Sequence, residues 1–217
     1  MCNIYTCKMT AAEMRALYLH YKFIGTTWTA WEERQCQQNE PVENVYPNQR
    51  APVVVLQDDE HIVREDMLWG FPRYGRAYGT NFRKFKNPRY RPWLNRVHRC
   101  VVPAMAFAEP DRNAPTTAMM RRWFKRADGL PFCFAGIWRP WTGDRGTKKA
   151  PDIGDHTLFS ILTTEPNSVR QRVHEQPMPV MLMTAEDVDR WLKGNSVEDA
   201  VAMQKPALDS ALAVVQF

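Results

Sequence analysis

Arg99-Cys100-Val101-Val102-Pro103-Ala104-Met105-Ala106-Phe107-Ala108-Glu109 is an apolar stretch closed at each end by a charged residue. Its core, Cys100–Glu109, is a run of strand length without helical periodicity. Outward from it, Phe132–Trp138, Thr157–Thr163 and Val180–Met183 are further short apolar runs of the same kind. Upstream, Ala51-Pro52-Val53-Val54-Val55-Leu56 predicts a strand paired with His61-Ile62-Val63 across an Asp58-Asp59 turn. Helices are few and short. Thr10-Ala11-Ala12-Glu13 forms a capping box, with Met14, Leu17, Tyr18 and Tyr21 following at helical spacing. Pro166–Val173 predicts a short helix opened by its proline, and Thr184–Lys193 another, closed by Gly194. Strands outnumber helices and show no βαβ alternation. The fold class is therefore α+β, with a mainly antiparallel or mixed sheet and a few short peripheral helices. Gln35–Asn44 and Arg139–Asp155 are polar and irregular, and are expected to be surface loops.

A chain of 217 residues fits one domain, residues 1–217, with a sizeable buried core. Its five cysteines, Cys2, Cys7, Cys36, Cys100 and Cys133, are odd in number and irregularly spaced. No apolar run reaches transmembrane length and no secretory leader is evident, so a cytoplasmic protein with free thiols is expected. The five histidines are scattered and no CxxC occurs, so neither a metal site nor an organic cofactor is implied.

The net charge of +5 is unevenly distributed. Arg73, Arg76, Arg83, Lys84, Lys86, Arg89, Arg91, Arg96 and Arg99 lie within 27 residues that contain no carboxylate. Tyr74, Tyr78, Phe82, Phe85, Tyr90 and Trp93 interleave with them. Phosphates bind cations and unstacked bases bind rings, so this pattern suits single-stranded nucleic acid. The alternative is a solvated basic face whose aromatics belong to the core.

Cys2 follows the initiator directly. Removal of Met1 would leave an α-amine and a thiol on adjacent carbons. The amine can form a Schiff base with an aldehyde, and the thiol can close the imine to a five-membered thiazolidine. Such a residue is suited to capturing aldehydes.

The ordered motifs resemble those of the SRAP family, the SOS response-associated peptidases or abasic-site processing proteins. Met1-Cys2 is similar to the family's start. Asn44-Val45-Tyr46-Pro47 leading into Ala51-Pro52-Val53-Val54 resembles its Asn-hydrophobic-x-Pro stretch, and Leu68-Trp69-Gly70-Phe71 its Trp-Gly-Leu motif. Asn81-Phe82-Arg83 resembles Asn-Ala-Arg, and Arg99–Glu109 resembles the segment ending Phe-Tyr-Glu-Trp. Phe159–Thr164 and His174…Met178-Pro179-Val180 complete a pattern that spans about residues 2–192 and leaves 193–217 as a C-terminal extension. Three departures stand out. Asn3-Ile4 replaces the usual Gly-Arg after the cysteine, Pro110 replaces a tryptophan, and the arginine of His-x-Arg-Met-Pro is absent from His174–Pro179.

The resemblance implies a DNA-damage protein, monomeric and nucleoid-associated when bound. Its partner would be single-stranded DNA containing abasic sites, captured through Cys2 after Met1 is removed, either by an aminopeptidase or by self-processing. The activity would be lyase-like cross-linking. Cys2, Asn81, Glu109 and His174 would be catalytic. Arg83, Lys84 and Lys86 would grip phosphates, with Trp69 and Pro47 as wedge or stacking residues. Two alternatives remain open at this point: a non-catalytic nucleic-acid-binding module, and a cysteine peptidase acting on other proteins.

Overall fold

The computed structural model describes residues 3–7, 17–24, 44–72, 78–111 and 120–215, with the backbone alone at 23–24 and 61–66. The Thr10–Glu13 capping box, most of the Gln35–Asn44 segment, and Cys2 itself lie outside these residues. In chain order the strands are β1 (Ile4–Thr6), β2 (Phe23–Ile24), β3 (Arg50–Gln57), β4 (Glu60–Trp69), β5 (Phe71–Pro72), β6 (Tyr78–Gly79), β7 (Asn81–Phe82) and β8 (Arg99–Ala104). They continue with β9 (Ala106–Pro110), β10 (Arg121–Arg126), β11 (Phe132–Asp144), β12 (Ile153–Thr164), β13 (Met178–Pro179), β14 (Met181–Leu182) and β15 (Leu212–Val215). The later helices are α1 (Ser168–Gln171), α2 (Ala185–Lys193) and α3 (Val197–Ala202).

The Arg99–Glu109 run is two strands rather than one. The chain breaks at Met105, so β8 and β9 enter different sheets. β8 pairs antiparallel with β3 and β11, β3 with β4, and β11 with β12. A parallel pairing of Thr157–Phe159 with Met67–Trp69 joins β12 back to β4 and closes these strands into a barrel. β9 instead lies between β1 and β10 in a four-stranded sheet whose far edge is β15. The tail beyond residue 192 is therefore integrated, since Leu212–Val215 pair with Trp123–Arg126. The arrangement is α+β with a mixed, largely antiparallel sheet.

Alternation along the strands divides the interior. Val53 and Val55 face a core containing Tyr5, Trp69, Phe107, Phe124, Phe134 and Phe159, between the barrel and the four-stranded sheet. Val54 faces a second core with Leu158, Leu162, Val188, Trp191 and Leu192, closed by α2. Leu17 and Tyr21, from the predicted first helix, are buried in this second core. The Asp58-Asp59 turn forms as expected, with both residues at positive φ (49° and 63°).

Several expectations change. Arg139–Asp155 is mainly hairpin, not loop: Trp138–Asp144 pair with Ile153–Phe159. Its polar side chains belong to strand ends that extend past the core, so hydrophobic patterning fades before the ladder does. Pro166 does not open the helix that follows it. Asn167 is the N-cap, its side chain accepting the Arg170 N–H at 2.9 Å. α3, unforeseen, is opened by a Ser196/Asp199 capping box.

Arg99 is also corrected. It is 1% exposed and contributes nothing to a DNA-facing track. Its Nε donates to Leu94 O (3.0 Å), its Nη1 to Trp191 O (3.1 Å) and Gly194 O (3.0 Å), and its Nη2 to Ser196 O. It thereby satisfies carbonyls at the end of α2 that no helical N–H can reach. Phe82 and Tyr90 are core residues rather than base-stacking platforms, because their rings complete the apolar face beneath the basic segment.

Candidate active site

Asn81, Glu109 and His174, far apart in sequence, are each buried, at 4%, 1% and 6% exposure. Polar side chains at such depth require specific partners. Asn81 is positioned by parallel pairing of β7 with β12, where it stands opposite Ile161. Its Nδ2 donates to Thr80 Oγ1 (2.8 Å), and that hydroxyl donates to Asn3 Oδ1 (3.2 Å). A side-chain relay therefore runs from Asn81 to the residue beside Cys2.

Glu109 lies on β9 immediately after Ala108, which stands opposite Ile4 of β1. Continuing that antiparallel register by one residue sets Asn3 on the Glu109 side of β1, and the Asn3 side chain is tied to Thr80. The opposite neighbour of Glu109, across β10, is Arg122. Arg122 is engaged elsewhere, with its Nε at 2.7 Å from Asp111 Oδ2.

His174 follows α1, and its N–H donates to Arg170 O at 2.9 Å. Its Nδ1 accepts the Gln176 N–H at 3.3 Å. In a neutral imidazole this assignment puts the proton on Nε2, leaving that nitrogen as a donor. Arg170 links the two ends of the cluster. Its Nη2 lies 3.0 Å from Glu109 Oε1, and its Nη1 donates to the His174 carbonyl. The guanidinium also lies over the Phe124 ring, 5.4 Å from its centroid.

This geometry ties a buried amide to Asn3 through Thr80 and joins a buried carboxylate to the His174 backbone through Arg170. The SOS response associated peptidase (SRAP) family model matches residues 1–216. The chain belongs to the SRAP family. Among solved structures, a protein from Bordetella bronchiseptica is 18% identical, with a TM-score of 0.73 over 100% of this chain and 99% of its own. One from Bacteroides thetaiotaomicron is 21% identical, with a TM-score of 0.72 over 99% and 91%. A phage-related protein from Bordetella bronchiseptica is 18% identical, with a TM-score of 0.60 over 82% of each chain. These likenesses show a shared fold. No curated protein matches the chain. Among the described residues, no helix is long and apolar enough to cross a membrane.

The remaining expected residues fall differently. Trp69 is 0% exposed, and its Nε1 donates to Thr80 O at 3.0 Å. Its ring packs on Tyr5 and Phe159, with centroids at 5.1 and 6.3 Å. No face is open to a base, so Trp69 supports the Thr80–Asn81 segment from within and is not a stacking residue. Pro47 sits in a partly exposed turn beside Asn48. Lys84 and Lys86 are exposed. Arg83 is 38% exposed at its side chain and paired with Glu165. Its backbone is fixed by Gln204 Nε2, 2.6 Å from Arg83 O.

Thr80 and Arg170 were not among the sequence candidates. Thr80 adjoins Asn81 but has no distinguishing residue chemistry. Arg170, four residues before His174, reads in sequence as one more helical cation; only burial separates it from Arg172.

Proposed function

We propose that this SRAP protein binds single-stranded DNA and captures abasic sites covalently through Cys2 once Met1 is removed. The observation that carries this reading is the Asn81–Thr80–Asn3 relay, which ties the residue next to Cys2 to the buried Asn81, at the head of a strand paired with β9, which carries Glu109.

The ring-opened abasic sugar presents an aldehyde. The Cys2 α-amine adds to its carbon, the carbinolamine loses water to give an imine, and the thiol adds across C=N. The thiazolidine forms with net loss of one water. Glu109 acts at the amine, accepting its proton during attack, and the same carboxylate serves removal of Met1. His174, as the imidazolium, protonates the sugar oxygen from Nε2 as the closed abasic ring opens, leaving a neutral ring. Proton transfers of this kind typically contribute ~10²–10⁴-fold each. Asn81 orients the sugar or the amine through its amide. Arg83, Lys84 and Lys86 contact phosphates, and Pro47 borders the lesion. For Arg83 this means exchanging Glu165 for phosphate.

Gel analysis under denaturing conditions tests the reading. Wild-type protein mixed with abasic single-stranded DNA gives a covalent species, and Cys2→Ala gives none. A stable cross-link with Cys2→Ala would refute the assignment.

A further inference from the structure

We infer that Arg170 is the positioning residue that makes Glu109 and His174 act as one unit, an inference that rests on the abasic-site reading above. Arg170 lies outside every motif that carries the family resemblance, yet it is 0% exposed. Two nitrogens of one planar fork face both acid–base residues: Nη2 forms an ion pair with the Glu109 carboxylate at 3.0 Å, and Nη1 donates to the His174 carbonyl.

Each contact restricts a different freedom. The ion pair with Oε1 holds the Glu109 carboxyl group on the Arg170 side of β9. Holding the His174 carbonyl fixes the backbone from which the imidazole projects, in a segment with no regular structure between α1 and β13. Arg170 is itself immobilised by the Asn167 cap at its N–H and by the Phe124 ring. The fork therefore spans two sequence-distant elements, one contributing the carboxylate and the other the imidazole.

An ammonium could supply charge at this place but not the planar, two-direction geometry. A buried carboxylate without its cation would also be strongly disfavoured. The cation reaches the His174–Pro179 segment from one helical turn upstream.

The test uses full-length Arg170→Met and Arg170→Lys, each with a pre-formed Cys2 terminus and held below its melting temperature. Single-turnover adduct formation on abasic single-stranded DNA is measured beside affinity for intact single-stranded DNA. Misplacement of reacting groups by about 1 Å can cost ~10²-fold, so Arg170→Met should slow the adduct step by about that factor. Arg170→Lys should recover only part of the loss, and neither variant should change affinity for intact DNA. In a Glu109→Gln background, Arg170→Met should add little, because residues acting as a unit are non-additive.

A merely structural arginine would lower the melting temperature and leave these rates unchanged. Wild-type kinetics in Arg170→Lys, or fully multiplicative effects with Glu109→Gln, would overturn the inference. If Arg170→Met does not fold, the Lys variant and its combination with Glu109→Gln decide the matter. If wild-type protein itself forms no adduct, the abasic-site reading fails and this inference with it. A normal wild-type reaction with an unaffected Arg170→Lys defeats this inference alone.

Discussion

Arg99 and Arg170 are both enclosed guanidinium groups, at 1% and 0% exposure, but their partners differ in kind. Arg99 donates to the backbone carbonyls of Leu94, Trp191, Gly194 and Ser196, and lies over the Trp191 ring at 5.4 Å. Arg170 has a carboxylate and the backbone of a candidate acid. Carbonyl partners close a helix end and weld α2 and α3 to the barrel. A carboxylate of the proposed site as partner ties the cation to the proposed chemistry. Burial of a charge therefore does not announce function; the identity of what answers it does.

The largest effect expected within this contrast is at His174. His174→Ala should slow adduct formation by ~10²–10⁴-fold while sparing Met1 removal, and single-turnover kinetics measure it. Wild-type rates across pH ~5–8, the window in which an imidazole titrates, would reduce His174 to a structural cap.

Next comes the Arg99 side. Arg99→Met strands several buried carbonyls, and a loss of about 3–5 kcal/mol is expected from the cost of breaking a buried charged network. Urea denaturation measures this loss. The fraction that remains folded should form the adduct at the wild-type rate. If folded Arg99→Met were slowed as much as Arg170→Met, the distinction between the two arginines would collapse.

A smaller effect is expected on the surface. Arg83→Ala removes one phosphate contact and should lower the slope of log K against log salt by ~1. The Glu165 pair is exposed, so its loss should change stability little. An unchanged salt slope would remove Arg83 from the DNA path.

The smallest effect concerns the interior thiols. Burial pushes the Cys7 thiol up to about 11, and it raises Cys100 and Cys133 as well. A raised thiol stays protonated until the pH passes its folded value, so none of the three is a thiolate at neutral pH. Iodoacetamide at pH ~8 should leave them unmodified in folded protein. Rapid alkylation of Cys7 there would contradict its burial in the core that holds Tyr5 and Phe107.

Where burial and period agreed, the sequence was informative. Ala51–Leu56, its Asp58-Asp59 turn and the Thr184–Gly194 helix could be read because each combines an apolar pattern with turn or cap chemistry. The β11–β12 hairpin beyond Trp138 was hidden, because a ladder continues through backbone hydrogen bonds after its side chains turn polar. The break at Met105 was hidden too: an apolar run does not record which sheet receives it. Trp69 was misread for a related reason, since its motif is shared while its environment is set by Tyr5 and Phe159. Asn81, Glu109 and His174 were named through resemblance. Arg170 could not be, because its role depends on Glu109 lying across from it in space.

Intact mass spectrometry of purified protein, alone and after incubation with abasic single-stranded DNA, tests the central claim most directly. The account predicts a protein lacking Met1, and then a species whose mass equals mature protein plus DNA minus one water. Complete retention of Met1 in protein that still forms the stable adduct would contradict it, because only a free α-amine beside the Cys2 thiol can close the ring.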